Sequence, residues 1–260
     1  MSKKNKLSGE ERFEEYYKAL YQERWEGLKD SLLKEKESSI EIPNLKSPYY
    51  LDIASYKTAS LLPVEPGMNV LDMCAAPGGK TLVIAKKLSG LGALTSNDRS
   101  PDRRERLRKV IHECLDDKEC AISKVTGFDA TSWGVYEKDV YDAILLDAPC
   151  SSERHVINSE KHLADWSPNR PKRLAITQYA MLSSALLAVK KGGYILYSTC
   201  SINPEENECV IEKLVKKHKE EVEFIPVDID KSENLSYGNI VLPDRANGMG
   251  PMYACLMRKI

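Results

Sequence analysis

The sequence predicts an α/β fold: a Rossmann-like, mostly parallel sheet that carries helices on both faces. From about Pro66 onward, short apolar runs alternate with longer amphipathic segments, which is typical of strands connected by crossover helices. The run at residues 143–146 is apolar throughout, as expected of a strand covered on both faces. Seven runs of this kind predict a seven-stranded sheet, with strands at residues 70–73, 93–96, 122–125, 143–146, 194–197, 222–227 and 253–257.

The segments between these runs have the spacing of amphipathic helices. Gly192 and Gly193 predict a turn that leads into the fifth strand. The strongly charged segment 10–36, with apolar residues at broadly helical spacing, predicts a short N-terminal helical extension. We therefore divide the chain into that extension, residues 1–48, and an α/β domain, residues 49–260. The other predicted helices span residues 51–62, 81–88, 101–114, 173–189 and 205–218.

Composition and charge limit the kinds of protein that this chain can be. It has 260 residues, of which 42% are hydrophobic, and a net charge of −1, which suits one soluble domain plus a modest extension. No apolar stretch reaches the ~18 residues of a membrane span, and residues 1–20 do not have the pattern of a targeting segment. We expect a cytoplasmic monomer that does not contact a membrane.

The cysteines and the basic residues add two further observations. The seven cysteines include no C-x-x-C pair, so the sequence predicts neither a disulfide framework nor a metal site. The near-neutral charge gives no global indication of nucleic-acid binding, but residues 99–109 carry six basic residues against two acidic ones. A solvated helix face and a patch that follows phosphates both explain this run.

A loop with two glycines, residues 74–81, follows the first predicted strand, at the edge where a parallel sheet binds its ligand. A Walker loop would need a glycine where Cys74 stands, and the dinucleotide motif is absent. S-adenosylmethionine remains as the ligand class. Loop amides would hold its amino-acid moiety, Asp98 its ribose and Asp129 its adenine, although either aspartate could instead cap a helix or a turn. The predicted cofactor residues are Cys74, Ala75, Ala76, Pro77, Gly78, Gly79, Lys80, Asp98, Arg103, Asp129 and Asp147.

Four motifs carry a resemblance to a known family. They are LDMCAAPGGKT at 71–81, DAPC at 147–150, YSTCS at 197–201 and NPEENE at 203–208. In this order they resemble the Fmu/NSUN family of S-adenosylmethionine-dependent RNA cytosine-5 methyltransferases, from about Tyr49 to the C-terminus. The compact size, Arg154-His155 and the ending GPMY at 250–253 are similar to the members most like the mitochondrial ribosomal-RNA enzyme. The resemblance implies a class I methyltransferase fold and a catalytic domain at 49–260.

The chemistry of cytosine explains why two cysteines matter. C5 is a poor nucleophile until a thiolate adds at C6 and pushes electron density towards C5. Position alone leaves open which cysteine attacks, since Cys150 and Cys200 each follow a predicted strand. The resemblance implies that Cys200 is the nucleophile and that Cys150 assists release of the methylated RNA. Asp147 is expected to pair with N3 or N4 of the base, and Lys80 to favour anionic character in the pocket.

RNA is the expected partner, ribosomal RNA first and transfer RNA second, with the target base out of its stack. A partner protein could supply further RNA-binding surface. A non-catalytic RNA-binding ribosome-assembly factor on the same fold is the alternative from another class, but it would not need both thiols. An amino-group methyltransferase would carry an Asn/Asp-Pro-Pro-aromatic motif at 147–150, and a small-molecule methyltransferase would have no use for paired thiols. Phosphate contacts are predicted at Arg154, Arg170, Lys172 and Arg173.

Overall fold

The computed structural model describes residues 7–34 and 39–260, and within them the chain forms eleven strands. Two strands form a separate hairpin, and nine form one central sheet. The strands are β1 (Ser39–Glu41), β2 (Tyr50–Asp52), β3 (Asn69–Asp72), β4 (Ala93–Asn97), β5 (Ser123–Thr126), β6 (Tyr141–Asp147), β7 (Val189–Thr199), β8 (Val222–Ile225), β9 (Glu233–Asn234), β10 (Asn239–Val241) and β11 (Met252–Lys259).

The central sheet has the order β5-β4-β3-β6-β7-β11, with β8 and β10 both on the far side of β11 and β9 beyond β10. The first five strands in this order are parallel, and β11 runs antiparallel to its neighbours. Each of the seven predicted runs is a strand, so the prediction of a mostly parallel α/β sheet is confirmed. The sheet exceeds the predicted seven strands by β9 and β10, whose two and three residues are too short to show a periodicity.

The helices between the strands begin and end close to the predicted residues. Ser100 caps one of them by accepting a hydrogen bond from the Arg103 N–H, and Pro101 occupies its first turn, so its bounds are the predicted 101–114. No helix of the described ranges is long and apolar enough to cross a membrane. The helices are α1 (Gly9–Tyr21), α2 (Trp25–Leu33), α3 (Ile53–Leu61), α4 (Gly79–Leu88), α5 (Pro101–Cys114), α6 (Asp117–Ala121), α7 (Trp133–Tyr136), α8 (Glu153–Ile157), α9 (Glu160–Ala164), α10 (Asn169–Ala188) and α11 (Glu208–His218).

A bulge in β7 replaces the turn that was predicted at Gly192 and Gly193. Tyr141 of β6 pairs with Val189, whereas the pairing resumes between Ala143 and Tyr194. Because β7 carries more residues than β6 between these two pairs, its backbone must bulge. Gly192 has a φ of +81°, a conformation that residues with a side chain rarely adopt. The glycines therefore shape the strand from within rather than ending the helix before it.

The N-terminal segment packs into the same core as the sheet. Tyr17 of α1 stacks on Trp25 of α2 with ring centroids 5.4 Å apart, and both side chains are fully buried. Phe13 lies edge-on to Trp166, which comes from the segment before α10. The proposed division of the chain at residue 48 falls in the loop between β1 and β2, and residues 35–36 of the predicted helical segment lie outside the described ranges.

Alternate residues of β6 face opposite halves of the core. Ile144 and Leu146 belong to the half that contains Trp166, and Ala143 and Leu145 belong to the other. All four are fully buried, which confirms the prediction that this strand is covered on both faces. Because β3, β6 and β7 are parallel, their carboxyl ends meet at one edge of the sheet, and the loops that follow them carry the predicted site residues.

Candidate active site

The two cysteines that were singled out in the sequence lie side by side. Neighbouring parallel strands β6 and β7 end at Asp147 and Thr199, and Cys150 and Cys200 follow them. The Sγ atoms of the two cysteines are 3.1 Å apart, within hydrogen-bond distance, although 50 residues separate them in the chain. Both side chains are partly buried and neither forms a disulfide. The fold therefore creates a pair of interacting thiols at the ligand-binding edge of the sheet.

The two thiols differ in acidity. A hydrogen bond from Cys150 lowers the pKa of Cys200 to about 7, although burial opposes this, and Ser152 Oγ at 3.2 Å from the Cys200 Sγ adds to the lowering. The pKa of Cys150 is raised, because its hydrogen bond to Cys200 retains the proton and because it is buried. The thiolate of the pair therefore belongs to Cys200, and the thiolate is the nucleophilic form.

Alkylation of Cys200 by iodoacetamide is expected to follow this acidity, with a rate that rises through pH about 7 as the thiolate forms. In Cys150→Ala the hydrogen bond is lost, so the midpoint should move to higher pH by about one unit or more. Peptide mass spectrometry of the modified protein, over the range of about pH 5 to 10, measures the rate at Cys200 alone. Cys209→Ala removes an exposed cysteine and is the control, for which no movement is expected. An unmoved midpoint in Cys150→Ala would show that Cys150 does not set the acidity.

An ion pair lies beside the thiols. Lys80, in the first turn of α4, donates to Oδ2 of Asp147 at 2.8 Å, and the Ser198 hydroxyl donates to Oδ1 at 2.8 Å. Burial lowers the pKa of Lys80, but the attraction of Asp147 outweighs it, so the pKa is raised and the amine stays charged. Cys200 also raises the pKa of Lys80, so the ammonium group and the thiol are close enough to interact electrostatically. Lys80 and Asp147 thus supply a fixed positive and a fixed negative group next to Cys200.

The loop between β3 and α4 turns sharply and is held from the side. The peptide bond between Ala76 and Pro77 is cis, and Gly78 has a φ of +123°. Arg103 of α5 donates to the carbonyl oxygen of Ala76 at 2.5 Å. A Cβ on Gly79 would lie 2.7 Å from Leu51 Cδ1, so a larger residue here would have to displace the Leu51 side chain.

A cavity of about 340 Å³ opens between this loop and the ends of β4 and β5. Four predicted cofactor residues line it: Cys74, Asp98, Arg103 and Asp129. The loop residues Ala75, Ala76, Pro77, Gly78, Gly79 and Lys80, together with Asp147, do not line it, and their assignment to a cofactor remains a prediction. Asn97, Phe128 and Pro149 line the cavity as well and were not predicted; each stands next to a predicted residue in the chain.

The two aspartates at this cavity differ in their exposure to solvent. Asp98 is buried, its Oδ1 accepts the Ser100 N–H, and its Oδ2 accepts no hydrogen bond and lies 3.4 Å from Arg103. Asp129 is half exposed and accepts the N–H and the hydroxyl of Thr131, which lowers its pKa. Both aspartates therefore fulfil the alternative role in a turn through Oδ1, and in both Oδ2 lies near an arginine; they differ in that Asp98 is buried and Asp129 is half exposed.

A second cavity, of about 450 Å³, borders the thiol of Cys200. Arg154 and His155 of α8 line it, together with Lys34 at the end of α2. The Arg154 guanidinium donates to the carbonyl oxygens of Lys34 and Gly248. It therefore has a structural role in addition to the phosphate contact predicted for it. Among the residues that the structure describes, no cluster of histidine, cysteine, aspartate or glutamate could hold a metal ion.

Comparison with known proteins shows the family. The sequence model of the family described as 16S rRNA methyltransferase RsmB/F matches residues 59–258. The chain belongs to this family. The match contains both cysteines, Lys80, Asp147 and Asp98, and the resemblance to Fmu/NSUN proteins that the four motifs indicated is confirmed. The segment with α1, α2 and the β1–β2 hairpin precedes the matched range.

Two relatives match most of the length of this RsmB/F family protein. It is 33% identical over 226 residues to the 5-cytosine rRNA methyltransferase NSUN4 of Bos taurus, which covers 80% of this chain and 59% of that protein. It is 38% identical over 193 residues to the ribosomal RNA small subunit methyltransferase F of Escherichia coli O9:H4 (strain HS), which covers 71% of this chain and 38% of that protein. The chain thus spans about three fifths of the length of NSUN4.

Solved structures show the same architecture. The crystal structure of NSun6 from Pyrococcus horikoshii with SFG superposes with a TM-score of 0.68 at 25% identity, over 82% of this chain and 53% of that one. A methyltransferase homolog protein from Pyrococcus horikoshii superposes with a TM-score of 0.66 at 24% identity, over 82% of this chain and 68% of that one. The second likeness concerns the fold alone, and it agrees with the predicted Rossmann-like class I methyltransferase architecture.

Proposed function

We propose that this chain methylates C5 of a cytosine in RNA, with S-adenosylmethionine as cofactor and Cys200 as nucleophile. The observation that carries the proposal is the Cys150–Cys200 pair, whose thiols are 3.1 Å apart beside Lys80 and Asp147. Other methyltransferase classes do not need such a pair, whereas addition to C6 of a pyrimidine requires a thiolate. The names of the relatives NSUN4 and methyltransferase F favour ribosomal RNA as the substrate, and transfer RNA is the second candidate.

The residues divide the reaction between them. The Cys200 thiolate forms a bond to C6, and the electrons of the C5–C6 double bond move into the ring, where a proton at N3 stabilises them. Lys80 places a positive charge beside this developing anion, and Asp147 keeps lone pairs for the amino group on C4. Once C5 is methylated, a base takes the C5 proton, the double bond re-forms and the C6–S bond breaks. Cys150 lies 3.1 Å from the departing sulfur, where its S–H can donate a hydrogen bond that stabilises the leaving Cys200 thiolate.

The residues around the first cavity fit the cofactor. Asp98 offers a carboxylate oxygen without a hydrogen bond, as needed for ribose hydroxyl groups, and Asp129 and Arg103 line the same space. Pro149, the residue before Cys150, is also part of this lining, so the cavity adjoins the thiol loop. When bound there, S-adenosylmethionine supplies the methyl group. The cavity beside Cys200 would receive the target nucleotide, which must leave its stack.

Asp98→Ala is expected to weaken binding of S-adenosylmethionine by about 10- to 100-fold, because hydrogen bonds to a charged acceptor contribute about 1.5–3 kcal/mol. Isothermal titration calorimetry with the cofactor measures this. Asp129→Ala should have a smaller effect, because that carboxylate is half exposed and water competes for its hydrogen bonds, whereas Asp98 is buried. Asp102→Ala, an exposed acidic residue in the first turn of α5, is the control for the change in charge. Equal affinities for the Asp98 and Asp102 variants would remove Asp98 from the site.

The proposed activity is tested by bisulfite sequencing of ribosomal and transfer RNA from cells with and without the gene. We expect at least one ribosomal cytosine to lose its methyl group in the deletion, and to regain it when the wild-type gene is returned but not with Cys200→Ala. Loss confined to transfer RNA would support the second candidate. If no cytosine in any RNA lost methylation while the purified protein bound RNA, the non-catalytic assembly factor would replace the enzyme.

Location, assembly and organisation are further parts of this proposal. We place the protein in the cytoplasm as a monomer, with residues 1–48 as a helical extension and residues 49–260 as the catalytic domain. The net charge of −1 supports a protein partner that supplies RNA-binding surface. RNA affinity of the purified chain alone, compared with that in a cell extract, measures the need for such a partner.

A further inference from the structure

Two carboxyl groups are buried between the loops that carry the cysteines. Glu153 follows Cys150 by three residues and Glu206 follows Cys200 by six, and neither side chain is exposed to solvent. The Ser201 hydroxyl lies 3.0 Å from Glu153 Oε1 and 3.0 Å from Glu206 Oε1, so it joins the two groups. Sequence reasoning gave no role to Glu153, and it included Glu206 only as part of a family motif.

The remaining contacts of Glu153 all come from hydrogen-bond donors. The Tyr17 hydroxyl lies 2.6 Å from Oε1, and the Ile202 N–H donates to Oε2 at 3.1 Å. The Tyr17 oxygen accepts a hydrogen bond from the Asn203 side-chain amide at 3.3 Å. The Tyr17 hydroxyl hydrogen therefore points to the Glu153 carboxyl, and Tyr17 acts as the donor in that contact. Glu153 therefore has the partners of an ionised carboxylate on both of its oxygens.

Glu206 has a different set of partners. Its Oε2 accepts from the Ser151 N–H and from the Gln178 side-chain amide, each at 2.9 Å, whereas the Ser201 hydroxyl is the partner of its Oε1. The Ser201 oxygen already accepts the Asn203 N–H at 3.0 Å and has a single hydrogen of its own. That hydrogen can serve one of the two carboxyl groups, so the other carboxyl must donate to Ser201 or remain unsatisfied.

We propose that Glu206 is held protonated at Oε1 and donates to Ser201, which donates to ionised Glu153, and that this chain of hydrogen bonds positions both cysteine loops for the methyl transfer proposed above. Protonation of Glu153 instead would require its Oε1 to accept from Tyr17 and donate to Ser201 at once. One buried negative charge with several donors is stable, whereas two in contact are not.

The network fixes the backbone on both sides of the thiols. Gln178 bridges Glu206 and the carbonyl oxygen of Pro149, the residue before Cys150, and the Ser151 N–H that follows Cys150 is bound directly. The residue after Cys200 is Ser201 itself. The separation of the two thiols is thus set by carboxyl groups that do not touch the substrate, which makes Glu153 and Glu206 positioning residues. Tyr17 brings α1 into the same network.

The surroundings of the pair favour one retained proton. Burial, and then repulsion from Glu206, raise the pKa of Glu153, and burial likewise raises the pKa of Glu206. Because the two groups titrate together, the proton belongs to the pair, and the contacts above decide which oxygen holds it. The titratable groups that interact with the pair from the packed elements include Tyr16, Tyr17 and Tyr21 of α1, Tyr197 of β7, and Cys150, and none of these five is a cation.

The test compares two substitutions that change charge identically. Glu206→Gln reproduces the protonated form, since its NH₂ can donate to Ser201 while its oxygen accepts from Ser151 and Gln178. In Glu153→Gln, the new NH₂ group would face the hydrogen-bond donors of Tyr17, Ser201 or Ile202, so these donors would lose an acceptor. Glu205→Gln, at a partly exposed neighbour, is the matched control. We expect the alkylation midpoint of Cys200 to stay near the wild-type value in Glu206→Gln and Glu205→Gln, and to rise by about one unit or more in Glu153→Gln because Cys150 moves away.

Activity gives a second readout. With RNA as substrate, Glu206→Gln should retain kcat, whereas Glu153→Gln should lower kcat by about 10- to 100-fold with little change in KM, as expected of lost positioning. If Glu153→Gln does not fold, Tyr17→Phe removes one donor from the same carboxylate and should shift the alkylation midpoint in the same direction. Equal effects of the two glutamine variants, or a harmless Glu153→Gln, would overturn the inference. Wild-type protein that methylates no RNA would refute the proposed function, while the alkylation midpoints would still decide the inference.

Discussion

Cys150→Ala is expected to trap a covalent complex between the protein and RNA that survives denaturation, and Cys200→Ala is expected to form none. The Cys200 thiolate makes the bond to C6, so without it methyl transfer should fall by about 10⁴-fold or more. The Cys150 thiol lies 3.1 Å from the sulfur that must leave, so without it the methylated adduct should persist. Denaturing gel electrophoresis with labelled RNA and cofactor distinguishes the two outcomes.

The exposed cysteine provides the control for this pair of variants. Cys209→Ala should turn over normally and leave no adduct, since that thiol lies on α11 and is solvent-exposed. An adduct in Cys200→Ala, together with its absence in Cys150→Ala, would reverse the two roles. Such a result would also contradict the lowered pKa of Cys200 and the raised pKa of Cys150.

Trp166→Ala is expected to lower the free energy of unfolding by about 3–5 kcal/mol, the range for removal of a large buried aromatic side chain. Trp166 is 1% exposed, and its ring centroid lies 5.2 Å from that of Phe13 and 5.4 Å from that of Tyr16. It therefore joins α1 to the segment before α10, and its loss leaves a cavity between them. Urea denaturation followed by circular dichroism measures the change.

A surface aromatic residue gives the matched comparison for Trp166. Tyr136 at the end of α7 is 83% exposed, so Tyr136→Ala should change the free energy of unfolding by no more than about 0.5 kcal/mol. If Trp166→Ala cost less than about 1 kcal/mol, the N-terminal helices would have to be held by other contacts. Limited proteolysis of both variants would show whether α1 and α2 detach first.

The sequence was sufficient to predict those parts of the fold in which each residue is constrained by its neighbours in the chain. The run at 143–146 could be recognised as a doubly covered strand because all four residues are apolar, and α5 has clear start signals in Ser100 and Pro101. The bulge in β7 could not be predicted, because a glycine pair has the same appearance in a turn and in a bulge. Strands β9 and β10 depend on their pairing partners rather than on a pattern of their own.

The same distinction applies to the site. The loop at 74–81 and the two cysteine motifs are local signals, and their proximity follows from the parallel order of β3, β6 and β7. Glu153 gave no signal, because a charged residue in a polar stretch has the pattern of a solvated surface. Its burial depends on Tyr17, Ser201 and Ile202, which are 136, 48 and 49 residues away in the chain, and periodicity does not report contacts at that distance.

The position of β11 in the sheet has a consequence for how the protein is made. This strand, at Met252–Lys259, lies between β7 on one side and β8 and β10 on the other, so a strand that is synthesised after the ten other described strands occupies an interior place. Until it emerges from the ribosome, β7 presents the unpaired edge of a long, largely buried strand, which is a template for pairing with other chains. Nascent chains stalled before residue 252 should therefore aggregate or recruit chaperones, although every residue of the proposed catalytic pair has already been translated.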